Sequence, residues 1–486
     1  MSGKGFPNGF LWGTAISGFQ AEMGLSSEDI DSNTDWFLWV HDQENIKKGI
    51  VSGDFPEDGP GLLRRYRDDF GLVRNRLANN AIRLSLEWSR IFPEPTSDIP
   101  VKISQDRFGN IHSVQVPPKS MKLLQDKADQ GAVKRYRDML KEAIELKLTI
   151  VLTLNHFTLP LWLHGPTLCR NSFKRSDRRG WVEPKIIVEF AKYAAYSAKT
   201  FGDIVDIWAT INEPMVVSIL GYLLPFPLPF PPGKSDIGLC LTASRNLAMA
   251  HAIAYQQVKK WDKKSISPFG PAYVGVVVNP QVYDAYDKHS KEDQQAANFY
   301  SYFWNEWYLN AVLHGEYDLN LNMRIEPEEW LPHLAKGCDY IGVNYYTRYR
   351  VKASSATPLK GEVIPCEENC TDMGWEIYPE GIRDVLDWVY TKYRRPIILT
   401  ENGIADERDE KRSVFLQRNL EETYKAITQD RVPVQGYFHW SLTDNFEWAN
   451  GFTKRFGLFK VDCASKERRP SKAVELYKQI CSQNAL

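Results

Sequence analysis

Short apolar runs rich in β-branched and aromatic residues alternate with longer amphipathic stretches along the whole chain. Such runs read as buried strands, and stretches with apolar residues recurring every three to four positions read as helices. The pattern predicts strands over residues 10–17, 81–88, 148–155, 204–211, 273–278, 339–344, 396–400 and 434–440. It predicts helices over residues 62–77, 133–146, 184–201, 241–261 and 379–393. Pro184 opens the third of these, a position where its fixed φ suits a helix start.

Strands and helices in strict alternation imply an α/β fold, a single (β/α)8 barrel over residues 1–486 with elaborated βα loops. In such a barrel, function gathers at the C-terminal ends of the strands. Those ends carry Gln20, Arg83, His156, Asn212, Glu213, Asn279, Tyr346, Glu401 and Trp440. One polar residue at a strand end merely starts a loop; a polar or aromatic group at every mouth converges on a pocket. Residues 101–128 read as one long polar βα loop, and the Pro-rich residues 225–233 as a stiff loop on the barrel rim.

Composition narrows the partners. A formal net charge of −1 argues against a nucleic-acid or anionic-membrane surface. No run approaches the length of a membrane span, and the N-terminus lacks the basic start and apolar stretch of a signal peptide. The expected location is therefore cytoplasmic. Seven scattered cysteines do not suggest a disulfide framework, and Cys366 and Cys370 read as two loop thiols. The aromatic content of 13% fits a large core and also rings that stack on sugars, so position has to decide between them.

Two motifs carry the chemistry. Asn212-Glu213-Pro214 and Glu401-Asn402-Gly403 each end an apolar strand, the fourth and the seventh, which face each other across a barrel mouth. Carboxyls roughly 5 Å apart suit double displacement, one attacking C1 while the other protonates the leaving oxygen; a wider gap admits a water and gives inversion. The chemistry needs Glu401 ionised and Glu213 protonated at the start, and a cation such as Arg83 beside Glu401 would favour that division. Either motif alone is common by chance, and a salt-bridged rim residue is the plain alternative.

The chain resembles glycoside hydrolase family 1, and within it the archaeal β-glycosidases acting on glucosides and galactosides. The resemblance rests on residues 10–20, on Arg83 with Glu87-Trp88-Ser89-Arg90, and on Asn155-His156-Phe157. It continues through Thr210-Ile-Asn-Glu-Pro214, Gly342-Val-Asn-Tyr-Tyr-Thr347, Thr400-Glu-Asn-Gly403 and His439-Trp-Ser-Leu-Thr-Asp-Asn-Phe-Glu-Trp448. It implies a retaining exo-β-glycosidase with Glu401 as nucleophile and Glu213 as acid/base, with transglycosylation as a side activity. It further implies that Gln20, His156, Asn212 and Glu447 bond sugar hydroxyls, and that Trp440 and Trp448 form a platform and a wall. Arg83, Tyr346 and Asn279 would support the catalytic carboxyls, and Trp375 would stack on the leaving group.

The implied substrate is a small β-glycoside or oligosaccharide, with no metal and no organic cofactor, and the implied assembly is a homo-oligomer, dimer or tetramer. The preferred sugar stays open among glucose, galactose, fucose and mannose. Alternatives are a non-catalytic sugar-binding relative and a 6-phospho-β-glycosidase. Lys454 suits the latter, while Glu447 would repel a phosphate. Phe157, where many family members have Trp, keeps a ring but removes a donor. Trp88 reads as packing, Glu87 as a partner of a neighbouring base, and His164 as structural.

Overall fold

The computed structural model describes residues 5–106, 110–168, 170, 173–224, 229–335, 337–462 and 464–486. Eight strands close a barrel: β1 (Leu11–Ala15), β2 (Ala81–Ser85), β3 (Thr149–Asn155), β4 (Ile207–Asn212), β5 (Tyr273–Val278), β6 (Tyr340–Asn344), β7 (Ile397–Asn402) and β8 (Val434–Trp440). Each pairs in parallel with its sequence neighbours, and β8 returns to β1 with Leu11 opposite Gly436. Strands covered on both faces need apolar residues at successive positions, which is why β4, β6 and β7 are buried from end to end.

All eight predicted strands form, and each predicted helix has its counterpart: Leu62–Gly71, Gln130–Glu145, Lys185–Phe201, Ile237–Trp261 and Glu380–Tyr393. The first of these continues as a π-helical turn over Leu72–Arg76. The fourth strand starts three residues later than predicted. The cause is local: Asp206, just before it, takes the Ile266 N–H at 2.9 Å and so belongs to a loop bracket.

Two other readings need correction. Residues 101–128 are not one irregular loop. They form a hairpin, Lys102–Gln105 with Ile111–Gln115, and a helix, Pro118–Lys127. Ile111, Val114 and Leu124 are buried, and Gln257 of the long helix Ile237–Trp261 donates to the Val114 carbonyl at 2.7 Å. Lys102–Gln105 is exposed throughout and only Ile111 and Val114 of its partner strand are buried, so the hairpin carries no regular apolar alternation. Cys366 and Cys370 are joined by a disulfide. The loop folds back, with Cys370 bridging to Glu376, and brings the two Cα atoms to 6.1 Å, within bonding range. Sequence spacing carries no sign of that reversal.

Of the Pro-rich rim stretch, residues 225–228 lie outside the described residues; Phe230 is buried and faces the barrel mouth. Among the described residues, no helix is long and apolar enough to cross a membrane.

Candidate active site

The barrel mouth holds a cavity of about 550 Å3, in the range of small-molecule sites. Glu213 and Glu401 both line it. Each follows a shift in strand register, between Ala209 and Asn212 for β4 and between Leu399 and Glu401 for β7. Such irregularities re-aim the next side chain, here toward the barrel axis. Glu213 has left-handed backbone (φ 46°), held by its N–H to the Val277 carbonyl at 2.8 Å and by Pro214, which opens the helix Pro214–Tyr222. A non-glycine residue in that region stores about 1–3 kcal/mol of strain, which the surrounding bonds must sustain. Past Glu401 the chain crosses the Trp440 carbonyl so closely that a side chain at Gly403 would collide with it.

The two carboxyls have different neighbours. Glu401 accepts from the Arg83 guanidinium and from the Tyr346 hydroxyl, the latter at 2.7 Å. Arg83 is almost wholly buried under the site. It also donates to Asn212 Oδ1 at 2.6 Å, to Thr153 at 3.2 Å and to the Thr400 carbonyl at 3.3 Å. Burial, then the charge of Glu401, pushes the Tyr346 phenol well above its ordinary range, so it keeps its proton and donates.

Glu213 receives amide donors instead: Asn344 Nδ2 at 2.6 Å and Asn279 Nδ2 at 3.1 Å, both on Oε1. Burial and the neighbouring charge of Glu401 raise its pKa to about 8, against the opposing pull of the two amides and Arg83. It is therefore protonated at neutral pH.

The remaining predicted residues converge on the same place, except Gln20, which is wholly buried and does not line the cavity. His156, Asn212, Asn279, Tyr346, Trp375, Trp440, Glu447 and Trp448 line the cavity. Burial, then Arg83, holds His156 well below its ordinary pKa, so its ring is neutral. It lies nearly parallel to both the Trp440 and Trp448 rings. Asn212 Oδ1 is engaged by Arg83 and Asn344, and its amide N–H2 lies 3.4 Å from His156 Nε2. Gln20 sits behind the wall, donating to Asn445, to the Phe446 carbonyl and to Glu447 at 3.3 Å. Glu447, buried and near Glu401, is pushed up to about 8.

Asn344 lies within the Gly342–Thr347 run, and the sequence alone assigns it no role. Its partners lie on other strands, and only barrel closure reveals them. Glu87 pairs with no base, which corrects the expectation. It accepts from Phe19 N–H at 2.9 Å and from the Thr158 hydroxyl at 2.6 Å, and Arg90 pairs with Glu22 instead. His164 is buried and bonded to Asp35 at 2.6 Å, and Trp88 stacks on Tyr193, both structural as expected. Lys454 donates to the Asp372 carbonyl at 2.6 Å and is absent from the cavity wall. Among the described residues, no group of three or more His, Cys, Asp or Glu is arranged to hold a metal ion.

The model of glycosyl hydrolase family 1 matches residues 2–102 and 124–486, leaving out most of the hairpin and its following helix. A β-galactosidase of Pyrococcus woesei is 41% identical, over 99% of this chain and 98% of its own. One of Saccharolobus solfataricus is 37% identical, over 99% and 96%. The β-glycosidase of Thermosphaera aggregans superposes with a TM-score of 0.90 at 36% identity, covering 99% of this chain and 98% of that one. Matched along nearly its whole length and at its barrel, the chain belongs to glycosyl hydrolase family 1 and is a glycoside hydrolase.

Proposed function

We propose that this glycoside hydrolase is a retaining exo-β-glycosidase that removes a terminal glucose or galactose, with Glu401 as nucleophile and Glu213 as acid/base. The carrying observation is the contrast in their partners: a guanidinium and a phenol on Glu401, two neutral amides on Glu213. A carboxylate so stabilised is a poor acceptor of a proton from water, which argues against a general-base role and hence against inversion. It remains able to attack carbon.

In the first step a Glu401 oxygen bonds to C1 as the C1–O bond to the leaving group breaks, and the Glu213 proton passes to the departing oxygen. The ester that forms removes the charge beside Glu213 and so lets it take up the base role. Water then attacks C1, gives its proton to Glu213, and releases Glu401. Any hydroxyl-bearing acceptor that replaces this water gives transglycosylation. Asn212, whose amide N–H2 lies beside His156 in the cavity wall, suits the 2-hydroxyl, and Trp440 and Trp448 suit the apolar faces of a pyranose.

No Lys or Arg is among the residues lining the cavity, so a 6-phosphosugar would find no cation there. The names of the relatives support glucosides and galactosides as substrates. The description of one similar solved chain as a mutant of a tetrameric enzyme supports a homo-oligomer here, which light scattering tests.

The decisive experiment is hydrolysis of nitrophenyl β-glucoside and β-galactoside by wild type and Glu401→Gly. The variant should lose nearly all turnover, and azide should restore part of it as the α-glycosyl azide. Near-normal turnover in the variant would refute the nucleophile.

A further inference from the structure

Glu213 accepts both of its amide hydrogen bonds on one oxygen. Asn344 and Asn279 each donate to Oε1, at 2.6 and 3.1 Å, while Oε2 has no protein partner among the described residues. A neutral carboxyl carries its proton on one oxygen, and an oxygen that already faces two donors is the poorer place for it. The arrangement favours the proton on Oε2. It does so only while both amides keep their N–H2 ends toward the acid. An amide turned over would offer its carbonyl oxygen and draw the proton to Oε1.

Asn279 is kept from turning by Gln281, two residues further along the chain. Gln281 Nε2 donates to Asn279 Oδ1, and Gln281 Oε1 accepts from the Thr347 N–H at 3.3 Å. A peptide N–H has a fixed polarity, so it sets the Gln281 amide, and through it the Asn279 amide. The main chain of Gln281 is pinned as well: its N–H donates to Asn305 Oδ1 at 2.9 Å, and its carbonyl accepts from Asn305 Nδ2 at 2.8 Å. On the other side Asn344 is oriented by the Thr400 hydroxyl, which donates to its Oδ1 at 2.7 Å, and by Asn212 Oδ1, 3.3 Å from its N–H2. The charged and titratable groups around Glu213 are Glu401, Arg83, Tyr346 and Tyr349, and among the described residues none of them is bonded to Gln281.

Resting on the reading of Glu213 as the acid/base, we propose that Gln281 is a positioning residue for the acid step: by fixing the Asn279 amide it keeps the Glu213 proton on Oε2, the oxygen left to meet the departing group.

The test is kcat/KM for 2,4-dinitrophenyl and phenyl β-glucosides in wild type, Gln281→Met, Asn279→Ala and the double variant. Met keeps the length of Gln and removes its donor. Dinitrophenolate departs without a proton, so Gln281→Met should hold that substrate within about twofold, while phenyl glucoside falls about three- to tenfold, the size of one hydrogen bond. The split is a ratio within one variant and does not depend on its folded fraction. In Gln281→Met the Asn279 carbonyl is released to accept from the acid's hydroxyl, a bond to the neutral form, so the basic limb of kcat/KM should move to higher pH. Once Asn279 is replaced by Ala, Gln281→Met should deepen the split no further. A residue that merely packs, or merely touches the leaving group, would give equal losses on both substrates. Equal losses, an unmoved limb, or a deeper split in the double variant overturns the proposal. If Glu213→Gln shows the split and Gln281→Met does not, only the role of Gln281 fails. If Glu213→Gln loses as much on the dinitrophenyl as on the phenyl substrate, the acid/base reading itself fails.

Discussion

Asn344 donates its side-chain N–H to Glu213 Oε1 over 2.6 Å, while its own Oδ1 accepts from the Thr400 hydroxyl at 2.7 Å. One amide at the end of β6 thus ties the carboxyl that follows β4 to the residue that precedes Glu401. The donation favours the ionised form of Glu213 and so lowers its pKa. Asn344→Ala should move the basic limb of the kcat/KM profile to higher pH and reduce kcat/KM by about tenfold, one lost bond to a charged group being about 1.5–3 kcal/mol at most. A pH profile of alkyl glucoside hydrolysis checks the sign.

With its proton released at about 8, Glu213 should set the upper limb of activity. Kcat/KM should fall as pH rises through that value, and Glu213→Gln should abolish the limb, with the greatest loss on substrates with poor leaving groups. Glu447 also lies at about 8, so Glu447→Gln serves as the control that keeps the limb.

The same two carboxyls bear on stability. Both are raised in the folded state from an ordinary 4.5, so between about 4.5 and 8 the folded protein holds more protons than the unfolded chain. Their contribution is fully present below 4.5, declines between 4.5 and 8, and is lost above 8. Glu447→Gln should therefore weaken the fall of the melting temperature between pH 5 and 8, as measured by calorimetry.

Arg90 bonds Glu22 at 2.7 Å and lies 3.9 Å from Asp31, with Glu87 raised by burial and by Glu22. Arg90→Met leaves buried carboxyls without their cation, which should cost about 3–5 kcal/mol in chemical denaturation. Glu87, which bridges the Phe19 N–H and the Thr158 hydroxyl, should lose ligand affinity on replacement by Leu, because the turns bearing Gln20 and His156 would no longer be tied together.

For the Cys366–Cys370 disulfide, reduction should expose two thiols to a thiol reagent and raise KM for nitrophenyl β-glucoside about three- to tenfold, since the loop bearing Trp375 must then be ordered on binding. The double variant Cys366→Ser/Cys370→Ser should behave like the reduced protein.

The eight strands are legible in the chain, because strands buried on both faces must be apolar throughout, and their order follows from alternation with helices. Glu213 and Glu401 are legible too, since each stands at the end of such a run. Which neighbours these carboxyls meet depends on how the barrel closes. Arg83, Asn344 and Tyr346 come from β2 and from the end of β6, and closure of the barrel brings them within hydrogen-bond distance across long stretches of chain. The same holds for Glu87, whose partners are a backbone N–H and a hydroxyl rather than a base, and for the disulfide, which depends on a loop reversing direction. Periodicity records which face of an element is buried; distances between faces belong to the fold.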